Sequence, residues 1–392
     1  MPSESQKKLI EEFEHALAEL RERNQLRSIA QVAGVNLCSN DYLGLAEDPR
    51  LKEAVLESVA AASRVGGAGS RLLSGHDPVW NDLEEEFAAF AEAEAALYFS
   101  SGYAANLGLL ASVLSKDDLV FSDARNHASL IDGMRLSGAR RVIYPHLDLN
   151  ALERALREHA KDSCRKLVVT ESVFSMEGDI ADVKALQDLA GRFGASLVVD
   201  EAHATGVYGP RGAGVVAEAR LSGEVFATVH TCGKALASAG ALVCGSRALR
   251  EFLINHARTL TFSTAMPPYM AGQVRAALRL AGAMNQERLR LQALVWLLPL
   301  KLQGAGWQTP GRHSQIVPVV LGSNEDALSA AAFLQAQGFS VRAIRPPTVP
   351  AGTARLRLSL TTRVTMEHLA SILAALKAWR AAKWSLAAAG QA

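Results

Sequence analysis

The chain has 392 residues, of which 49% are hydrophobic and 21% are charged, a composition ordinary for a soluble globular protein of two or more domains. Its 41 basic and 40 acidic residues give a formal net charge of +1, so no overall field favours nucleic acid. The four cysteines show neither disulfide nor metal-ligand spacing, and no apolar run approaches the roughly 18 residues of a membrane helix. No signal peptide pattern opens the sequence, and we expect a cytoplasmic protein with no metal.

Helical and strand patterns alternate through most of the chain, after a polar helix predicted over residues 3–27. We predict helices at 49–62, 79–93, 104–114, 149–160, 183–192 and 268–291. We predict strands at 96–99, 119–121, 141–144, 167–170, 197–199, 225–228 and 241–244. These strands are short and apolar throughout, which is typical of strands buried on both faces. Strands that alternate with helices predict right-handed crossovers and a mostly parallel sheet of the α/β class.

The pattern of predicted strands and helices changes in the last hundred residues. Strands are predicted at 316–321, 341–344 and 355–360, with helices at 327–337 and 366–382, and residues 385–392 are expected to be a frayed tail. We therefore predict three regions, which are an N-terminal helix and arm at 1–45, a large α/β domain at 46–290 and a small α+β domain at 291–392.

Polar residues follow several of the predicted strands. Ser100, Asp123, Glu171 and Asp200 each come just after an apolar strand. Active sites of parallel sheets lie at the carboxyl ends of the strands. We expect the functional site at this edge.

Lys234 and Asp200 form the most informative pair. Asp200 ends an apolar strand, His203 follows three residues later, and Lys234 lies in a turn of small residues after the next apolar run. Pyridoxal phosphate chemistry needs such a set, because a lysine amine bonds to the aldehyde while a carboxylate keeps the pyridine nitrogen protonated. His203 could donate a hydrogen bond to the phenolic oxygen, and Thr231 could bind the phosphate. The ordinary alternatives are a solvated turn lysine and an aspartate N-cap, although residues 204–206 do not look helical.

Three other segments carry candidate site residues, each with an ordinary structural alternative. Gly102 and Tyr103 open a helix whose free N–H groups could bind a phosphate, with Tyr103 able to cover a ring, but a serine N-cap also explains this turn. His127 could stack on a flat ring, or be a hydrogen-bonded surface or core histidine. Ser175 could hydrogen-bond to a cofactor oxygen, or only cap a turn.

Two further motifs are glycine-rich or basic. Residues 66–76 lack the Gly-Lys-Ser/Thr of a nucleotide phosphate loop, so we interpret them as a loop near a site or a subunit interface. Arg355 and Arg357 alternate with leucines in a predicted strand. An arginine on a fixed strand can bind a carboxylate through two parallel hydrogen bonds in a bidentate pair. Arginines on edge strands, however, are commonly just solvated.

Five segments, taken in order, resemble the signatures of the α-oxoamine synthases, a branch of the fold-type I pyridoxal phosphate enzymes. They are Asn-Asp-Tyr-Leu-Gly at 40–44, Asn-His-Ala-Ser at 126–129, Val-Phe-Ser-Met-Glu-Gly-Asp at 173–179, Asp-Glu-Ala-His at 200–203 and Gly-Lys at 233–234. The resemblance extends from residue 40 to about residue 360. It implies an α/β fold-type I transferase, with a mostly parallel seven-stranded sheet in the large domain and pyridoxal 5'-phosphate as cofactor.

The resemblance implies roles for the matching residues. Lys234 would hold the cofactor covalently and act as the base, Asp200 would pair with the pyridine nitrogen, His203 would bond to the phenolic oxygen, and His127 would stack on the ring. These four are the expected catalytic residues. The expected cofactor-lining residues also include Gly102, Tyr103, Ser175, Thr231 and Thr264.

The implied substrate contacts come from both ends of the chain. Arg357 would bind the amino-acid carboxylate, and Arg27, Asn40, His127 and Thr348 would lie near the substrate. The family further implies a homodimer with the active site at the subunit interface. Ser263 and Thr264 would then reach the phosphate bound to the partner subunit.

Residues 345–357 most resemble the branch that condenses L-alanine with pimeloyl-CoA or pimeloyl-carrier protein in biotin biosynthesis. Two alternatives stay open. A glycine C-acetyltransferase would use glycine and acetyl-CoA without net decarboxylation. A non-catalytic subunit of a heterodimeric oxoamine synthase would have a binding role, but such a subunit could lack Lys234, which this chain keeps.

Overall fold

The computed structural model describes residues 3–29, 33–309 and 314–389. Its helices are α1 Glu4–Glu22, α2 Pro49–Ala61, α3 Val79–Phe90, α4 Gly102–Val113, α5 Ala128–Ser137, α6 Leu149–Glu158, α7 Val183–Arg192, α8 Val215–Glu218, α9 Arg247–His256, α10 Arg258–Thr261, α11 Tyr269–Ala283, α12 Asn285–Gly304, α13 Asn324–Ala336 and α14 Met366–Ala389. Its strands are β1 Val35–Asn36, β2 Ala95–Phe99, β3 Leu119–Asp123, β4 Arg140–Tyr144, β5 Lys166–Glu171, β6 Ala195–Asp200, β7 Ala227–Thr231, β8 Ala241–Gly245, β9 Ile316–Gly322, β10 Phe339–Ser340, β11 Ala343–Ile344 and β12 Ala354–Ser359.

A seven-stranded sheet in the order β2-β8-β7-β6-β5-β3-β4 forms the centre of the large domain. Strand β8 runs antiparallel to both of its neighbours, and the other pairings are parallel. The predicted α/β class with a mostly parallel seven-stranded sheet is therefore confirmed.

The central strands are apolar on both faces because helices cover both faces of the sheet. Val168 and Val199 point into a core with residues of α3, α6, α7 and α11. Their chain neighbours Val169 and Val198 point into a second core with residues of α4, α5 and α9. This double burial explains the continuous apolar runs in the sequence.

The register of the sheet brings polar residues together at one edge. Asp123, Glu171 and Asp200 are the last residues of β3, β5 and β6. Glu171 is paired with Asp200 across the sheet, and Thr231 ends β7. The sequence had suggested that these carboxylates follow their strands, but each one is the last residue of its strand. They still mark the carboxyl edge of the sheet, where a site is expected.

The small domain contains an antiparallel sheet in the order β11-β12-β9, with α13 and α14. The N-terminal segment joins this domain, because β1 pairs with β10 in parallel. The backbone N–H of Ser359, at the end of β12, also donates to the carbonyl of Leu37 at 2.8 Å. The predicted division at residues 45 and 290 stays a prediction.

Several element boundaries differ from the sequence predictions. The single helix predicted at 268–291 is wrong, because Met284 leaves helical geometry and separates α11 from α12. The first helix ends at Glu22, and Asn24 follows with a left-handed backbone. The strand predicted at 225–228 begins instead at Ala227. Helix α14 continues to Ala389, through part of the predicted frayed tail, as its alanine-rich sequence favours.

Four short helices, α5, α8, α9 and α10, were not predicted from the sequence. Helix α5 contains Gly133 and two serines, residues of low helix propensity, and tertiary packing of Leu130 and Met134 stabilises it. Across the ranges that the structure describes, no helix has the length and apolar character needed to cross a membrane.

The close approach of Gly178 to Ile316, the first residue of β9, gives a testable prediction. Gly178 has a φ of +73°, and a Cβ at this position would lie 1.9 Å from the carbonyl oxygen of Ile316. We expect Gly178→Ala to lower the free energy of unfolding by about 2 kcal/mol, because both the backbone conformation and the space require glycine. The measurement is urea unfolding of the cofactor-free protein.

Gly191→Ala is the matched control. Gly191 lies in α7, and a Cβ there would meet no atom within 4 Å. This variant should be as stable as the parent or about 0.5–1 kcal/mol more stable. Equal effects of the two substitutions would contradict the account.

Candidate active site

The amine of Lys234 lies at the carboxyl edge of the large sheet, in the turn after β7. Its Nζ donates to Oγ1 of Thr231 at 3.3 Å, and this hydroxyl donates to the carbonyl of Ala202 at 3.2 Å. Burial lowers the pKa of Lys234, with Arg357 acting in the same direction, while Asp200 and Glu171 act against it. A desolvated amine is closer to the neutral form that a nucleophile and a base require.

Asp200 is buried and holds hydrogen bonds on both carboxylate oxygens. Oδ1 accepts from the backbone N–H of Ala202 at 2.8 Å, and Oδ2 accepts from Nδ2 of Asn106 at 2.7 Å. The Asn106 amide also donates to Oγ of Ser129 at 2.9 Å, and this hydroxyl contacts Nδ1 of His127 at 2.8 Å. The network fixes the orientation of the Asp200 carboxylate. It also connects the carboxylate to the predicted stacking histidine.

His203 is buried, and a tyrosine contacts its ring. The hydroxyl of Tyr42 lies 2.6 Å from Nδ1, and Nε2 of Gln315 donates to the His203 carbonyl at 2.6 Å. Burial lowers the pKa of His203 well below its usual value, and the positive charges of Lys234 and Arg357 lower it further. The ring is therefore neutral. When Tyr42 donates to Nδ1, Nε2 carries the proton and can donate it to a ligand.

His127 is the N-cap residue of α5, and its side chain is exposed. It lies close enough to Asp200 and Lys234 for both to influence its pKa, which partial burial lowers. An imidazole with an open face beside these groups suits the stacking role that the resemblance implies.

Arg357 presents a buried guanidinium group that has no carboxylate partner among the described residues. Its Nε donates to the carbonyl of Ser175 at 2.5 Å, and Nη1 and Nη2 each lie 3.2 Å from Oδ1 of Asn40. Nη1 also donates to Oγ of Ser359 at 2.6 Å. Within the described ranges no ion pair neutralises this group, whereas Arg355 on the same strand pairs with Glu177 at 3.2 Å. An uncompensated buried cation is costly, so Arg357 is suited to an anionic ligand.

Charged groups hold the loop that carries Ser175. Glu177 pairs with Arg125 and Arg355, each at 3.2 Å. At the other end of the loop, Asp179 lies 3.1 Å from Nε2 of His146, whose Nδ1 lies 2.8 Å from Asp123. Ser175 itself is half-buried beside Arg357. These contacts fix the loop next to the small domain.

The helix α4 begins beside Thr231. Ser101 is its N-cap and accepts from the N–H of Ala104, and a Cβ on Gly102 would lie 2.5 Å from Cγ2 of Thr231. Glycine is thus required for this close approach of the helix start. Tyr103 is exposed, and its hydroxyl bonds to Asp132 on α5.

The remaining predicted residues lie apart from this cluster. Nη2 of Arg27 donates to Oγ1 of Thr348 at 2.7 Å, so these two exposed side chains contact each other. Among the described residues, no hydrogen bond joins either of them to Lys234 or Arg357. Ser263 and Thr264 line a cleft that also includes Ser100. The roles predicted for these residues stay predictions.

Three residues of the site received no role in the sequence analysis. Tyr42 lies inside the segment 40–44, and Asn106 lies four residues after Gly102 in α4; their signal in the sequence was this proximity to Asn40 and Gly102. Glu171 was placed at the sheet edge. Its carboxyl group is buried, and its Oε1 has no hydrogen-bond partner in the described part of the chain.

These residues fit pyridoxal phosphate. Lys234 offers an amine, Asp200 an oriented carboxylate, and His203 a neutral imidazole. The N-terminus of α4 beside Thr231 offers N–H groups suited to a phosphate. The unpartnered oxygen of Glu171 and the unneutralised Arg357 indicate two polar groups that a ligand would satisfy.

Comparison with known proteins agrees with this geometry. The family model of aminotransferase class I and II matches residues 32–373. The 8-amino-7-oxononanoate synthase of Geobacter sulfurreducens is 46% identical over 359 residues, covering 88% of this chain and 91% of the relative. That of Burkholderia mallei is 46% identical over 348 residues, covering 87% and 88%.

Two solved structures are similar along most of their length. A serine palmitoyltransferase from S. paucimobilis, solved with a bound pyridoxal phosphate adduct, superposes with a TM-score of 0.88 at 28% identity, covering 95% of this chain and 98% of that one. An 8-amino-7-oxononanoate synthase from Francisella tularensis superposes with a TM-score of 0.78 at 28% identity, covering 90% and 99%.

The chain belongs to the aminotransferase class I and II family and, within it, to the α-oxoamine synthases, which are pyridoxal phosphate enzymes. The predicted family, fold class, cofactor and enzyme class are thereby confirmed. In this family, the chain is similar in sequence to the 8-amino-7-oxononanoate synthases over most of its length.

The charged contacts of His146 predict a pH-dependent stability. Burial by itself would lower the pKa of His146, but hydrogen bonds to Asp123 and Asp179 outweigh it and raise the pKa to about 9. The unfolded-state value is about 6.5. A raised folded-state pKa contributes stability that is complete below pH 6.5 and is lost as the pH rises to about 9.

We expect the cofactor-free protein to lose up to about 3 kcal/mol of this stabilisation between pH 6 and pH 9.5. His146→Gln keeps hydrogen-bonding groups but carries no charge, so its unfolding free energy should change less over the same range. Urea unfolding at the two pH values measures both. Parallel pH profiles for the two proteins would show that this ion network does not stabilise the fold.

Proposed function

We propose that this chain is an 8-amino-7-oxononanoate synthase, which condenses L-alanine with the pimeloyl thioester of CoA or of a carrier protein. The overall reaction joins Cα of alanine to the thioester carbonyl carbon, expels the thiol and releases the alanine carboxylate as CO₂. One observation carries the proposal. A desolvated lysine amine and an oriented carboxylate lie at one sheet edge, near a buried arginine that has no anionic partner in the described part of the chain.

When bound, pyridoxal phosphate supplies an aldehyde that captures amines and an electron-poor ring that stabilises negative charge at Cα. Asp200 would hold the protonated pyridine nitrogen, and His203 would donate to the phenolic oxygen through Nε2. His127 would stack on the ring. Thr231 and the start of α4, at Gly102, would hold the phosphate.

The substrate would be positioned by Arg357 and deprotonated by Lys234. The guanidinium group of Arg357 would bind the alanine carboxylate and orient the Cα proton toward the amine. The lowered pKa of Lys234 favours the neutral amine, which can accept this proton. A positioned general base of this kind contributes about 10²–10⁴-fold to the rate.

Several features of the proposal concern assembly. The chain would form a homodimer with the active site at the interface, where Ser263 and Thr264 would reach the phosphate bound to the partner subunit. Their position in a small surface cleft of the single chain, beside Ser100, supports this. Arg27 and Thr348 would lie near the acyl group. The enzyme would act in biotin biosynthesis in the cytoplasm.

A substrate panel tests the function and separates it from its alternatives. We expect turnover with L-alanine and pimeloyl thioester, with release of one thiol and one CO₂ per product. Turnover restricted to glycine and acetyl-CoA would indicate a glycine C-acetyltransferase. A protein that stays colourless with added cofactor and turns over neither pair would indicate a non-catalytic subunit.

Substitution of Arg357 tests its proposed role. Arg357→Gln removes a charged hydrogen bond to the substrate carboxylate, worth about 1.5–3 kcal/mol. We expect the KM for alanine to rise by about 10–100-fold, with the KM for the acyl thioester nearly unchanged. Steady-state kinetics with each substrate varied in turn makes the measurement.

Arg363→Gln is the control for this variant. Arg363 also bonds to the 40–44 segment, through the carbonyl of Gly44 at 3.0 Å, but it is exposed and paired with Glu47 at 2.6 Å. Its loss should leave the KM for alanine unchanged. If both variants raised this KM equally, packing of the segment rather than a carboxylate contact would explain the effect.

A further inference from the structure

The carboxyl group of Glu171 has no part in the reaction as described above, although it lies at the centre of the site. Glu171 is the last residue of β5 and is paired in register with Asp200, the last residue of β6. Residues in register on parallel strands point to the same face, and neighbouring strands are about 4.8 Å apart. The side chain is buried and lies near enough to Lys234 to influence its pKa.

The carboxyl groups of Asp200 and Glu171 differ in the number of hydrogen-bond donors around them. Asp200 accepts from the N–H of Ala202 and from the Asn106 amide, one bond on each oxygen. Among the described residues, the Oε1 of Glu171 is buried without a hydrogen-bond partner, and the backbone of His127 is near enough to oppose the rise of its pKa. A second negative charge is unfavourable in a buried site, and a carboxyl group with few hydrogen-bond donors is more readily held in its neutral form.

Glu171 is therefore the protonated member of the pair. Its burial, followed by the charge of Asp200, raises the pKa of Glu171 well above its usual value. A protonated carboxyl group has an O–H to donate. In the described part of the chain, the free oxygen of this group has no protein acceptor or donor beside it.

We propose that Glu171 is a further cofactor-binding residue, whose neutral carboxyl group donates a hydrogen bond to an oxygen of bound pyridoxal phosphate. The inference rests on the proposed function, because it requires the pyridine nitrogen to lie at Asp200. Because Glu171 lies in register with Asp200 on the next strand, its carboxyl group would face the same ring and would bind the phenolic oxygen. With His203, the oxygen would have two neutral donors.

A buried carboxyl group whose hydrogen-bond partner is a ligand should lower the folding stability of the protein when the ligand is absent. Burying an oxygen without a partner is unfavourable, and replacing it with an apolar group of similar shape is neutral or stabilising. Glu171→Met keeps the chain length without a hydrogen-bonding carboxyl group. Glu171→Gln keeps a neutral N–H donor at nearly the same position.

The test measures cofactor affinity and stability in the same proteins. Cofactor-free wild-type, Glu171→Gln and Glu171→Met are titrated with pyridoxal phosphate, and each is unfolded in urea without cofactor. We expect the Kd of Glu171→Met to rise about tenfold while its urea midpoint is unchanged or higher. Glu171→Gln should bind within about threefold of wild-type.

Glu201 provides a matched control with the opposite signature. It is fully buried next to Asp200 in sequence, but its carboxylate accepts from the N–H groups of Val215 at 3.0 Å and Val216 at 2.7 Å, and from Ser172 at 2.9 Å. Glu201→Gln places an amide against these donors. Its urea midpoint should fall, and its cofactor Kd should stay within about threefold of wild-type.

Three results would overturn the inference. A wild-type Kd for Glu171→Met would show that the carboxyl group does not contact the cofactor. Equal weakening by Gln and Met would show that an ionised carboxylate is needed. A joint fall of affinity and urea midpoint in Glu171→Met would show a structural role. A wild-type protein that fails to bind pyridoxal phosphate would instead refute the proposed function itself.

Discussion

The parallel register of β5, β6 and β7 is the constraint on which the site depends. It ends three neighbouring strands at one edge and places Glu171 beside Asp200, while β7 continues two residues past the partner of Asp200 to Thr231, with Lys234 in the turn that follows. Because helices cover both faces of the sheet, this edge is largely desolvated. Desolvation is what shifts the Lys234 amine toward its neutral form and the Glu171 carboxyl group toward its protonated form.

The balance of charge in the site follows from where donors and acceptors are available. Asp200 receives two N–H bonds and is suited to a negative charge, while His203 is neutral because burial and two nearby cations disfavour its protonation. Within the ranges described, neither Lys234 nor Arg357 is paired to a protein carboxylate, and burial shifts the Lys234 amine toward its neutral form. The arrangement thus offers one anion for the ring nitrogen and one cation for a substrate carboxylate, with neutral groups between them.

The sequence could predict the parts of this site that are local in the chain. Asp200 and His203 are three residues apart, and the Gly-Lys turn follows the next strand, so their spacing carries the information. The double burial of the strands was also visible as apolar runs. Short helices such as α5 could not be predicted from the sequence, because tertiary contacts rather than helix propensity stabilise them.

Contacts between distant segments could not be predicted from local patterns. Tyr42 reaches His203 across 161 residues, and Asn40 meets Arg357 across 317. The protonation of Glu171 depends on counting the donors around two carboxyl groups, which requires coordinates. The role of Thr264 depends on a second subunit and stays a proposal.

The most direct test is to locate the covalent attachment of the cofactor. The protein is loaded with pyridoxal phosphate, reduced with borohydride, digested and analysed by mass spectrometry, with Lys234→Ala treated in parallel. The account predicts a single labelled lysine, Lys234, and loss of the cofactor absorbance in the variant. Label on a different lysine, or an unchanged spectrum in Lys234→Ala, would contradict it.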